Sequence, residues 1–224
     1  MQAVLTARYR PYLAATVLLS LFLTLGVYAW HVDHAAWEVE VVRWLQDFGA
    51  PGLRPVSVGM AVAGTGLPWA ALVGVIGLVL LLLNGLRVAG LLLVTALLQD
   101  VGALLKLLIG RARPSDGTVE VWHQVTSYSF PSGHTLGATL VFGFLILALQ
   151  YSDLNTAMKR ALQGACLTWI LLMGVGRMTL GAHWPTDVLG AYLFGAFLLL
   201  PIAALLRRTA PAGSVAESQS HTRF

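Results

Sequence analysis

Residues 88–106 read VAGLLLVTALLQDVGALLK, an apolar run that closes on a lysine and continues at once into LLIGRARP (107–114). A helix rises about 1.5 Å per residue, so a run of this length crosses most of a hydrocarbon layer roughly 30 Å thick. Inside it only Asp100 carries a charge before Lys106. Five further stretches have the same character: 11–30, 67–86, 134–151, 160–178 and 187–206. The sequence therefore predicts an all-α fold, a six-transmembrane-helix bundle forming one domain over residues 1–208. Composition agrees: 57% of the 224 residues are hydrophobic and 11% are charged, which excludes an ordinary soluble domain. Arg8 and Arg10 precede the first run, and 27–29 (VYA) weakly resembles a cleavage site. That run is longer than the usual ~7–15 residues of a signal sequence, so a retained anchor is expected.

Lys and Arg in the short connections set the expected orientation. Arg8, Arg10, Arg87, Lys159, Arg160, Arg207 and Arg208 fall on one side, expected to be the cytoplasm, with both termini there. Lys106, His134, Arg177 and Asp187 then lie at the outer boundary, so residues far apart in the chain converge on one extracytoplasmic plane. Residues 37–48 place Trp37, Val41, Trp44, Leu45 and Phe48 at helical spacing. This predicts an interfacial helix on the outer side, which either caps the bundle or guides a lipid. Residues 49–66, with Gly and Pro, read as loop or broken helix, and the polar tail 209–224 as a disordered cytoplasmic extension. Cys166, the single cysteine, sits in an apolar run and suits a buried, inert thiol.

Three stretches at the outer boundary carry chemistry. In residues 131–134 (PSGH), Ser132 suits an N-cap, and the first N–H groups of the helix that follows suit an anion. Gly133 lets a phosphate approach the backbone, and His134 in the same turn is placed to protonate a leaving oxygen. The same residues also fit an ordinary capped helix with an interfacial histidine. In residues 176–187 (GRMTLGAHWPTD), Pro185 suits a first helical position and Asp187 falls in that first turn. Asp187 is near enough in sequence to accept from one ring nitrogen of His183, leaving the other free to attack phosphorus. Arg177 offers a bidentate fork to phosphate oxygens. The bland alternative makes Asp187 a cap and His183 a neutral boundary residue. In residues 106–114 (KLLIGRARP), Lys106 and Arg113, with Arg111 between them, are either phosphate ligands or snorkelling cations.

A lysine, six residues, then Arg-Pro; Pro-Ser-Gly-His; then an arginine, five residues, a histidine, three residues and an aspartate. This ordered set resembles the type-2 phosphatidate phosphatase, or lipid phosphate phosphatase, superfamily. That superfamily is itself similar to bacterial acid phosphatases and vanadium haloperoxidases. The motifs span 106–187, and the six-span plan extends the likeness to nearly the whole chain. The resemblance implies that His183 is the nucleophile of a phosphohistidine intermediate, Asp187 its orienter and His134 the general acid. Lys106, Arg113, Ser132, Gly133 and Arg177 would hold the phosphoryl oxygens. It implies metal-independent chemistry with no cofactor, the three cations neutralising charge instead. One departure stands out: the family pattern usually has serine where this chain has Gly176.

Two further residues are candidates for a supporting layer around the site. Asp100 lies inside the third span, about 9 Å below Lys106 along a helix axis, and serves either the site or an inter-helix hydrogen bond. His123 lies between the first two motifs, within reach of substrate. His31, His34 and His221 show no metal-ligand spacing, and no metal site is expected. The expected protein is an inner-membrane hydrolase acting on a lipid phosphate or diphosphate among membrane lipids, with a monomer sufficient and no nucleic-acid partner. Undecaprenyl diphosphate is the favoured substrate, a preference implied by the resemblance together with the expected outward-facing site. Phosphatidylglycerophosphate and phosphatidate are the other candidates. The alternatives are a phosphotransferase using the same phosphohistidine and an anionic-lipid transporter. The latter would need half-helices or inverted repeats that the sequence lacks.

Overall fold

The structure is a computed structural model and describes residues 2–122 and 124–209. Among these residues eight helices follow in order: α1 (Gln2–His31), α2 (Ala36–Ala63), α3 (Gly66–Asn84), α4 (Leu86–Leu97), α5 (Gln99–Ile109), α6 (Gly133–Leu149), α7 (Thr156–Thr179) and α8 (Pro185–Thr209). Among the described residues there is no strand. Five segments among the described residues are long and apolar enough to cross a membrane: 11–31, 66–84, 86–109 (α4 with α5), 156–179 and 185–209. The expected fourth span, 134–151, is the shorter apolar helix α6, of 17 residues.

The polarity of the bundle is inverted relative to a soluble fold. Leu82, Leu83, Leu86 and Leu107 are more than 70% exposed, while Glu38, Arg111, Arg177, His183 and Asp187 are buried at 1% or less. Leucine on the outside costs nothing when the surroundings are hydrocarbon, whereas a polar side chain must find partners inside. Helix α6 is the axis of the bundle, with Thr135 to Val141, Gly143 and Phe144 all buried. It packs on α7 and α8, with α4 and α5 alongside, while α1 leans on α8 and α2 on α7. Close approach uses glycine: a Cβ at Gly190 would fall 2.5 Å from the Phe130 ring, and one at Gly143 would fall 2.5 Å from Leu199.

Two sequence expectations change here and a third holds. The stretch 49–63 is not a loop, because α2 runs unbroken from Ala36 to Ala63 although Pro51 and Pro55 lie within it. Packing against α7 along Ser57 and Met60 overrides the local breakers. The apolar face expected on 37–48 does turn outward: Trp37, Trp44 and Phe48 are exposed, and Glu38, Val42 and Gln46 form the buried stripe instead. The third span is interrupted at Leu98, which separates α4 from α5. The tail beyond Thr209 and His123 lie outside the described residues.

Candidate active site

Two glycine turns bring the motif segments together. Helix α5 ends at Gly110 in the left-handed conformation, φ +68°, its N–H donating to the Lys106 carbonyl at 2.9 Å. Among the described residues the chain then runs without helix from Arg111 to Ser132. Helix α7 ends in a turn at Gly181, φ +63°, where a Cβ would run into the Glu120 carbonyl oxygen. That close approach docks the 111–122 segment onto the loop carrying His183, and the Trp122 N–H donates to the Leu180 carbonyl at 3.1 Å. Trp184, 1% exposed, packs with Val42 and Val119 and donates from Nε1 to the Ala112 carbonyl at 3.2 Å.

His183 is buried, with Nε2 3.1 Å from Arg113 Nη1 and Nδ1 3.4 Å from Asp187 Oδ2. A guanidinium only donates, so Nε2 presents a lone pair and the proton sits on Nδ1, toward Asp187. This is the tautomer a nucleophile needs. Burial, then the charges of Arg113, Lys106, Arg177 and His134, hold the imidazole well below its ordinary titration range. Asp187 is itself fixed: Oδ2 accepts from Ser129 Oγ at 2.5 Å and the Trp184 N–H at 2.8 Å, and Oδ1 accepts from Arg111 Nη1 at 2.7 Å. The Asp187 contact to the histidine is therefore long, and Ser129 Oγ lies at the same 3.4 Å from Nδ1.

The cations gather around the other face of the ring. Arg113 Nη1 donates to the Ala182 carbonyl at 2.6 Å, and Nε donates to the Ser127 carbonyl. Burial pushes its guanidinium down to about 10, so it remains charged at neutral pH. Lys106 Nζ donates to the Tyr128 and Ser129 carbonyls at 2.8 and 3.1 Å. Arg177 differs from both. It is 1% exposed, and its Nε and Nη1 have no hydrogen-bond partner among the described residues. A buried guanidinium with unsatisfied N–H groups is costly unless an anion completes it. His134, at the start of α6, has Nε2 3.1 Å from the Ala61 carbonyl. Beside Arg113 a cavity of about 240 Å³ opens, lined by Pro114, Val121, Gln124, Val125 and Ala182.

The structure thus brings Lys106, Arg113, Ser132, Gly133, His134, Arg177, His183 and Asp187 to one end of the bundle. Ser132 holds the N-cap position without capping. Its hydroxyl pairs with Thr135 Oγ1 at 2.9 Å, and its N–H donates to the Asp187 carbonyl at 3.1 Å. Asp100 is not part of this set. It is exposed and has neither a hydrogen bond nor an ion pair among the described residues. At about 100° per residue it lies on the opposite side of α5 from the buried Gly102, so neither the supporting role nor the inter-helix bond expected for it is present. Gln99 is the residue that turns inward, against Gly137. Gly176 has a local reason: a Cβ there would lie 3.1 Å from Ser57 Oγ on α2.

Sequence reasoning missed Glu38, Ser129 and Thr186, and left Arg111 without a role. Arg111 is fully buried and faces away from the phosphate cations, donating to Glu38 Oε2 at 2.8 Å and to Asp187. Only Glu38 left a sequence signal, a lone acid at the first turn of an amphipathic helix. Ser129 and Thr186 left none.

Comparisons with known proteins bear on the family and the fold. The PAP2 superfamily matches residues 87–210. A phosphatidylglycerophosphatase B of Haemophilus influenzae is 37% identical over 95 residues, which is 41% of this chain and 38% of the relative. A protein of the same name from Bacillus subtilis is 34% identical over 99 residues, 42% of this chain and 46% of the relative. A lipid A 1-phosphatase of Rhizobium johnstonii is 34% identical over 119 residues, 47% and 42% respectively. The chain thus covers less than half the length of each of these relatives. Among solved structures, a transmembrane PAP2-type phosphatidylglycerolphosphate phosphatase from Bacillus subtilis superposes with TM-score 0.71 at 22% identity, covering 91% of this chain and 98% of that one. LpxE of Aquifex aeolicus gives TM-score 0.60 at 21% identity, covering 77% and 98%. At such identities the two structures speak for the fold alone. The sequence match runs from the start of α4 through all three motifs to the end of α8, more than half of the chain, and on it this protein belongs to the PAP2 superfamily.

Proposed function

We propose that this protein is an integral membrane phosphatase of lipid phosphates, working through a phosphohistidine on His183. The observation that carries the reading is His183 Nε2 set 3.1 Å from the Arg113 guanidinium, beside Arg177, whose Nε and Nη1 have no hydrogen-bond partner among the described residues. Residues 1–208 act as one membrane domain, with the site on the extracytoplasmic face of the inner membrane and both termini in the cytoplasm.

In the first step Nε2 attacks phosphorus, the N–P bond forms and the bond to the leaving oxygen breaks. His134 donates its proton to that oxygen, which departs on the lipid alcohol or, from a diphosphate, on the lipid monophosphate. Arg177, Arg113, Lys106, Ser132 and the Gly133 N–H hold the equatorial oxygens. Lys106 and Arg113 exchange carbonyls of residues 127–129 for phosphoryl oxygens as substrate enters. Asp187 keeps the Nδ1 proton in place and steadies the positive charge that develops on the ring. In the second step His134 takes a proton from water, the water oxygen attacks phosphorus and the N–P bond breaks, releasing phosphate. Three cations supply the charge neutralisation, so the cycle as written needs no metal.

For the substrate we favour undecaprenyl diphosphate, with phosphatidylglycerophosphate next because two of the relatives carry phosphatidylglycerophosphatase names. The test is phosphate release by purified protein in detergent from these two lipids and from phosphatidate, wild type against His183→Ala. The expected result is release from at least one lipid, abolished by the substitution. Release that survives His183→Ala overturns the mechanism. Transfer of phosphate to an added alcohol without free phosphate would make the protein a phosphotransferase.

A further inference from the structure

Glu38 belongs to none of the three motifs, yet it is a fully buried carboxylate with every side-chain oxygen engaged. Oε2 accepts from Arg111 Nη2 at 2.8 Å, the Ala35 N–H at 3.1 Å and Tyr28 Oη at 3.2 Å. Oε1 accepts from Thr186 Oγ1 at 2.6 Å and the Thr186 N–H at 3.4 Å. One carboxylate therefore ties the first turn of α2 to the first turn of α8. Arg111 completes the connection, donating from Nη1 to Asp187 Oδ1 at 2.7 Å and to Thr186 Oγ1. Asp187 in turn faces His183 Nδ1. The four side chains form a continuous line from α2 to the ring.

A single arginine here stands between two buried carboxylates. While Glu38 is ionised, it shares the pull of the Arg111 charge, and Asp187 keeps enough negative charge to hold the Nδ1 proton. With Glu38 neutralised, Arg111 draws on Asp187 alone. The hold on Nδ1–H weakens until the Arg113 contact at Nε2 is the main force against the Nε2–H tautomer, and that tautomer, which has no lone pair for phosphorus, becomes competitive. We infer that Glu38 is a positioning residue for the His183 nucleophile, acting from α2 through Arg111 and Asp187. The inference rests on the phosphohistidine reading of the site. It makes the outward helix α2 a working part of that site, where the sequence offered only a cap or a lipid guide.

The substitution Glu38→Gln keeps shape and removes the charge. The expected result is a fall in kcat of about ten- to a hundredfold, the usual range for partners behind a reacting group. KM and competitive inhibition by inorganic phosphate, which report the phosphate-facing cations, should stay within about twofold of wild type, since uniform binding is untouched. In an Asp187→Asn background the same substitution should cost less than about twofold, because the connection is already broken. An unchanged kcat, a joint loss of kcat and phosphate binding, or an undiminished cost in the Asp187→Asn background would each overturn the inference. Thr186→Val, which removes one bond to Glu38 and one to Arg111, is the milder break if Glu38→Gln does not fold. It should lower kcat in the same direction and leave phosphate binding in place, and an unchanged kcat counts against the inference. Histidine nitrogen NMR of the detergent-solubilised protein needs no turnover: wild type should show the Nδ1–H tautomer at His183, and Glu38→Gln a mixture. If no lipid releases phosphate, the phosphatase reading falls, and the tautomer still decides the role of Glu38.

Discussion

At the scale of residues, the site separates its charges by task. Arg111 serves the carboxylates behind His183, while Arg113, Lys106 and Arg177 serve what lies in front of it. The depressed titration of His183, caused first by burial and then by those cations, has two consequences. The native ring stays neutral at pH values where the unfolded chain, near 6.5, has already taken up a proton. Between the two values the unfolded state binds more protons, so stability is full above about 6.5 and falls as pH is lowered through that window. For activity, kcat/KM should keep its acid limb well below 6.5, and the basic limb should report loss of the His134 proton. A pH profile of wild type with His134→Asn checks both. An acid limb at 6.5 or above would contradict the neutral buried nucleophile, and a basic limb unchanged in the variant would remove His134 as the acid. Arg177 gives a second expectation at this scale. Its unpartnered N–H groups make Arg177→Gln cost about a hundredfold in kcat/KM, as losing one fixed donor to a developing charge does elsewhere. Arg177→Lys should restore little of it, because a point charge does not replace the fork. Full activity in Arg177→Lys would reduce the residue to a charge.

Among the helices, the contact between α2 and α7 decides how near the outer helix lies to the site. Ser57 sits against Gly176, and a Cβ at 176 would meet Ser57 Cβ at 3.3 Å as well as Oγ at 3.1 Å. Gly176→Ser should therefore push the helices apart by a few tenths of an ångström and cost about 1–3 kcal/mol, the range for overpacking. Pairing it with Ser57→Ala should return most of that loss, measured as thermal unfolding in detergent. No recovery in the double variant would mean that the glycine serves something other than this contact. The turn at Gly181 is less forgiving. Its positive φ alone costs a side chain about 1–3 kcal/mol, and the Glu120 carbonyl blocks the Cβ besides, so Gly181→Ala should lose both stability and activity. What the sequence made legible follows the same logic. Hydrophobic length placed the apolar part of α1 (11–31) and helices α3, α7 and α8 to within a few residues, because burial in hydrocarbon depends on composition and not on partners. It failed on 49–63, where packing against α7 outweighs Pro51 and Pro55. It failed on Asp100, where the helix register turns the carboxylate away from the site. The motif residues were legible because spacing carries them. Glu38, Ser129 and Thr186 were not, because each contributes through a contact between elements that no local pattern records.

For the molecule as a whole, function depends on which way the bundle stands in the membrane. Helix α6 runs from the site at Gly133 to Leu149, so the 110–132 segment and the 150–155 connection emerge at opposite ends of one axis. Charge counting places Arg87, Lys159 and Arg160 at the second end and assigns it to the cytoplasm. The site end also carries Lys106, Arg111, Arg113 and Arg177, which a simple count would place inside as well. These four divide differently once their partners are known. Arg111 is neutralised by Glu38 and Asp187, and the others face the candidate phosphate site, so none need act as a topological anchor. Cysteine labelling in whole cells tests this directly. In a Cys166→Ser background, Ser115→Cys at the site end should react with a membrane-impermeant maleimide in intact cells. Asp153→Cys at the other end should react only after permeabilisation. The reverse pattern would put the phosphate cations in the cytoplasm. It would then remove the reason to favour a carrier lipid dephosphorylated on the outer face, and leave a glycerophospholipid phosphate as the better substrate.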